Sequence, residues 1–92
     1  MSDQAIVNPV ELMAFANELE RYINTLEEAT NSLSSVFARL GETWKDGQRA
    51  AFEERYKELL SIQYSFREAT EGEIPGLRQK AKIAAEYLGI QL

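Results

Sequence analysis

The chain has 92 residues, a hydrophobic content of 45%, an aromatic content of 10% and a net charge of −5, with neither cysteine nor histidine. That length and composition suit one small domain with a packed core and exclude a disordered chain. The acidic balance, with a pI near 4.7, lacks the basic footprint of a nucleic-acid binder, and anionic membrane surfaces would repel it. Without Cys or His there is no disulfide, no thiol nucleophile, and neither the commonest metal ligand nor the commonest general base. The redox compartment stays open. No apolar run approaches the ~20 residues of a membrane span. No basic-then-apolar segment opens the chain, so no signal peptide is expected and export would need a dedicated machine.

Residues 1–7 are mixed in character and expected to fray. Asn8-Pro9-Val10-Glu11 is a helix start. Asn8 can accept from a free backbone N–H, Pro9 suits the first helical position, and Glu11 can reach back to the cap. Leu12, Leu19, Leu26, Leu33 and Leu40 then recur at seven-residue spacing. Phe15, Tyr22, Ala29 and Val36 fill the second seam position, and Ala16, Ile23 and Phe37 widen the stripe. A helix is predicted from about Pro9 to about Leu40, roughly 45–50 Å long. Gly41 follows as a natural residue for the helix end.

Gly41-Glu42-Thr43-Trp44-Lys45-Asp46-Gly47 is the turn, and it holds the only tryptophan. Asp46 is the expected N-cap of a second helix. Phe52, Tyr56, Leu59, Ile62, Phe66 and Ala69 follow at helical spacing. Glu71-Gly72-Glu73-Ile74-Pro75-Gly76 is the weak point. Pro75 cannot donate to residue 71 and disfavours helical geometry at Ile74. A kink or a break is expected within 72–76. Downstream, Leu77, Ala81, Ala84 and Leu88 resume a stripe one residue out of register, a shift that a kink could absorb. The last residues, 89–92, are expected to fray.

The predicted architecture is all-α: an antiparallel helical hairpin about Trp44, with helices at about 9–40 and 47–88. Helix 1 carries three apolar positions per heptad, more than one neighbour can cover. A wet stripe forgoes ~25 cal/mol per Å² of burial and leaves a sticky patch. A partner is therefore expected, either a second copy giving a four-helix bundle or a related hairpin. A DNA-binding leucine zipper would need a basic helix upstream, and residues 1–8 supply none.

Paired amphipathic helices around a Trp-containing turn, followed by Ala50, Ala51 and Phe52, resemble the WXG family. These are the small ESAT-like substrates of type VII secretion. The resemblance covers essentially the whole chain. The family turn is Trp-any-Gly, whereas Trp44-Lys45-Asp46-Gly47 places the glycine one residue later. The family's tail signal is Tyr, three residues, then an acid, whereas Tyr87 is followed at that distance by Gln91. The resemblance implies an antiparallel homodimer or a heterodimer, a secretion ATPase as a further partner, and a recognition surface that includes Trp44, Asp46, Gly47 and Tyr87.

Each site residue also has a plainer role. Trp44 can cap the bundle end, and Tyr87 can fill the last turn of the stripe. Arg78, Lys80 and Lys82 suit the late turns of a helix, where cations complement its dipole. A carboxylate-metal bundle would want inward carboxylates with a Glu-x-x-His partner. There is no His, and most Glu fall off the stripes, Glu73 excepted. No phosphate loop or nucleophile elbow is present. The expectation is a non-enzymatic interaction protein with no cofactor and no metal. Its role would be substrate or co-secreted partner of a type VII-like system, or else a cytoplasmic scaffold that is not exported. Its bundle or dimer interface is expected at Leu12, Phe15, Leu19, Tyr22, Ile23, Leu26, Leu33, Phe37, Phe52, Leu59, Ile62 and Phe66.

Overall fold

The structure is a computed structural model that describes residues 7–92; the fraying expected of residues 1–6 lies outside the described residues. Two helices, α1 (Pro9–Leu40) and α2 (Gly47–Leu88), pack as a hairpin, and no strand occurs among the described residues. The helix starts follow from local chemistry. Asn8 Oδ1 accepts from the N–H of Val10 at 2.9 Å and of Glu11 at 3.1 Å. Asp46 Oδ1 accepts from the N–H of Gln48 at 3.0 Å and of Arg49 at 3.1 Å. Each cap satisfies donors that the helix cannot.

Of the kink or break expected within 72–76, a break is absent: Pro75 lies inside α2. The physical reason is the burial pattern. Residues 53, 56, 60, 63, 67, 70, 74, 77, 81 and 84 of α2 are all buried or partly buried, at alternating steps of three and four. The same spacing holds on both sides of Pro75 within α2. Ile74, just before it, and Ala81 and Ala85, beyond it, are among the most buried side chains. Packing on both sides offsets the one N–H that proline lacks. The register shift expected downstream of Gly76 also disappears. The upstream frame of that shift is Phe52, Tyr56, Leu59, Ile62, Phe66 and Ala69, of which only Tyr56 lies on the seam.

The helix ends differ from expectation as well. Gly41 does not adopt a left-handed conformation; among the described residues only Gly89 does, with φ 69°. Ile90 N–H donates to the Ala85 carbonyl at 2.8 Å, and Gly89 N–H to that of Glu86 at 3.2 Å. This is a Schellman cap, so α2 ends in ordered hydrogen bonds where fraying was expected.

The fold comprises two compact units. In the terminal unit (residues up to Tyr22, and Thr70–Leu92) the buried side chains are Pro9, Ala16, Ile74, Ala81 and Ala85. One Arg78 nitrogen, Nη2, donates across to Asn17 Oδ1 at 3.1 Å and to Glu20 Oε1 at 2.7 Å. In the turn unit (Ile23–Ala69) Ile23 and Tyr56 are buried, and polar groups bridge the helices. Thr30 Oγ1 donates to Gln63 Oε1 at 2.9 Å, the Ser34 and Tyr56 hydroxyls share a hydrogen bond of 2.6 Å, and Arg67 pairs with Glu27 at 3.0 Å. No buried side-chain polar atom among the described residues lacks a partner, as stability requires.

Candidate functional site

The turn unit leaves a row of large apolar side chains in water. On α1 these are Leu33, Val36 and Leu40; on α2 they are Phe52, Leu59, Ile62 and Phe66. Their exposures run from 43% at Leu59 to 67% at Ile62, too much for core residues. Each sits one position before a seam residue. Leu33, Val36 and Leu40 precede Ser34, Phe37 and Gly41; Phe52, Leu59, Ile62 and Phe66 precede Glu53, Leu60, Gln63 and Arg67. At ~100° per residue, one step back turns both rows the same way from the seam. In antiparallel right-handed helices, that places both rows on one side of the hairpin. The contact between Phe37 and Phe52, with ring centroids 5.7 Å apart, lies on that side. The Glu27–Arg67 pair lies on the other, beside an open groove of about 400 Å³ over Leu26 and Leu60. The unit therefore carries seven large apolar side chains on one side, while the other holds the Glu27–Arg67 pair and the groove, with the exposed Tyr64 beside it.

The turn closes this apolar side at one end. After Leu40 the backbone tightens through bonds from Glu42 N–H to the Arg39 carbonyl and from Thr43 N–H to that of Leu40, both 3.1 Å. Trp44 N–H reaches the Leu40 carbonyl at 2.9 Å. The partly buried Trp44 ring rests 6.5 Å from Phe52, and Phe52 and Tyr56 stack at 6.3 Å. Trp44 thus combines a structural anchor with accessible surface, the division of labour that suits an indole.

The residues expected at the interface separate into two groups. Leu12, Leu19, Ile23, Leu26 and Phe37 are buried or partly buried on the hairpin seam, while Phe15, Tyr22, Leu33, Phe52, Leu59, Ile62 and Phe66 are exposed. Asp46 is engaged as the N-cap. Gly47 opens α2, and a Cβ there would meet no atom within 4 Å, so packing does not demand glycine at that position. Tyr87 does not fill a stripe: it is 89% exposed and belongs to the terminal unit. Glu73 is exposed too. Among the described residues, no group of three or more His, Cys, Asp or Glu is placed to hold a metal ion, and no helix is long and apolar enough to cross a membrane.

Two features escaped the sequence reading. The first is the polar seam: Ser34 is expected on the outer face of α1, yet it lies on the seam with Thr30, Gln63 and Arg67, and the three-four spacing of residues 53–84 carries the signal. The second is Arg49, one turn into α2, whose side chain is only 15% exposed. Comparison of the chain with protein-family models, with curated proteins and with solved structures gave no match.

Proposed function

We propose that this chain is a non-enzymatic interaction module that pairs with a second helical hairpin through the apolar side of residues 23–69. The observation that carries this reading is the same-sided row of Leu33, Val36, Leu40, Phe52, Leu59, Ile62 and Phe66. Each such side chain, left half in water, forgoes on the order of 1 kcal/mol of burial. Seven such side chains on one side of the unit are the kind of exposed apolar surface that marks an interaction site. A second copy, stripe against stripe, completes a four-helix bundle.

The WXG resemblance gives the pairing a context: substrate or co-secreted partner of a type VII-like system, with Trp44 and the exposed Tyr87 as contact points for a secretion ATPase. One residue favours a second reading, a cytoplasmic scaffold that is not exported: Gln91 stands where the family's tail carries an acid. Export into the medium, lost on Tyr87→Ala, separates the two.

Light scattering over a concentration series tests the pairing itself. The expected result is a dimer that dissociates on dilution, and a monomer at all concentrations for Ile62→Glu. Ile62 is 67% exposed, so that substitution leaves the hairpin's helical circular dichroism intact. A wild-type monomer at every concentration would overturn self-pairing and direct the search to a related hairpin.

A further inference from the structure

We propose that Arg49 is the positioning residue of the Trp44 turn: its guanidinium ties the end of α1 to the start of α2 and thereby fixes where the indole stands. Four contacts converge on this one group. Nη1 donates to the Phe37 carbonyl, one of the terminal carbonyls of α1, at 3.3 Å. The guanidinium carbon lies 4.0 Å from the Phe37 ring centroid and 5.8 Å from that of Trp44. Glu53 stands at 3.9 Å from Nε and completes the charge environment.

The chemistry suits arginine specifically. Its planar cation can stack on one ring, face a second and donate in its own plane at the same time, which an ammonium cannot do. A positive charge also complements the negative end of α1. Gly41 fits the same arrangement. A Cβ on Gly41 would lie 2.8 Å from Arg49 Nη2 and 3.1 Å from the Ala38 carbonyl. A side chain at Gly41 would therefore have to displace the guanidinium, the flexible end of Arg49, and its φ gives no separate reason for glycine because it is not left-handed. Gly41 and Arg49 form one device: the first clears room, the second fills it and holds Trp44 toward Phe52.

The consequence for partner recognition rests on reading Trp44 as a contact surface. The device itself is measured in the free protein, at concentrations where it is monomeric, so failure of one does not entail failure of the other. Trp44 is the only tryptophan, so its fluorescence reports the turn directly.

The experiment compares wild type with Arg49→Met, Arg49→Lys and Gly41→Ala, by emission maximum, acrylamide quenching and far-ultraviolet circular dichroism. The expected result for Arg49→Met is a red-shifted emission and stronger quenching with helical dichroism retained. Arg49→Lys should fall between Met and wild type. Wild-type emission and quenching in Arg49→Met would overturn the proposal. Full restoration by lysine would overturn the role assigned to the planar guanidinium. Should Arg49→Met lose its helical signal, Gly41→Ala decides, because it displaces the guanidinium with Arg49 still present. A shifted Trp44 signal there supports the device, and an unchanged one overturns it.

Discussion

The two units of this hairpin close in different ways. The terminal unit buries alanines: Ala16, Ala81 and Ala85 are 0–4% exposed. The turn unit buries rings and polar groups, with Tyr56, Phe37, Thr30, Ser34, Gln63 and Arg67 along its seam. Alanine allows close helix approach at little entropic cost, but it supplies little apolar area. Long polar side chains cover the seam with their stems while their heads find partners. The turn unit then has large aliphatic and aromatic residues to spare, and these face outward on one side. A seam partly filled by polar side chains therefore leaves large apolar side chains outside it.

Substitutions can break or sharpen this contrast. The largest effect is expected in the terminal unit, where Ile74 is the one large aliphatic side chain among its buried residues, at 5% exposure. Ile74→Ala should cost about 2–4 kcal/mol by urea denaturation, and it removes the packing that carries α2 past Pro75. A loss below ~1 kcal/mol, at the bottom of the range for core truncations, would mean that the alanines alone hold that unit. Ala81→Leu comes next. A leucine has no room at a site 0% exposed, and overpacking should cost about 1–3 kcal/mol. If the variant is as stable as wild type, the close-packed account of this unit fails.

The smallest effect is expected in the turn unit. Thr30→Val together with Gln63→Leu removes both partners of one seam hydrogen bond. Replacing both by apolar groups of similar shape is nearly neutral, so stability should change by no more than about 0.5 kcal/mol in the monomer. Gln63→Leu alone leaves Thr30 without its acceptor, and should be the worse of the two. If the double variant is strongly destabilised, the polar seam specifies the hairpin and does more than fill it.

Parts of this fold were legible residue by residue. The N-caps at Asn8 and Asp46 could be read because capping is local: a side chain two or three residues away satisfies a backbone N–H. Leu12, Leu19, Leu26 and Ile23 were found because period and burial coincide there. Phe52, Leu59, Ile62 and Phe66, the most apolar residues at helical spacing, are expected at the bundle or dimer interface, and each lies one residue before the hairpin seam. Periodicity locates a stripe, but it does not say which neighbour the stripe meets.

The sequence by itself determined that the chain is helical, that it turns about Trp44, and that its apolar surface exceeds what one hairpin can bury. These properties follow from caps, period and composition, all of which act within a few residues. The tertiary structure decided which of two adjacent stripes closes the hairpin, that α2 passes through Pro75 unbroken, and that Gly41 makes room for Arg49. Each of those depends on groups distant in the chain meeting across the seam, where the pairing of polar atoms and the fit of side chains are settled together.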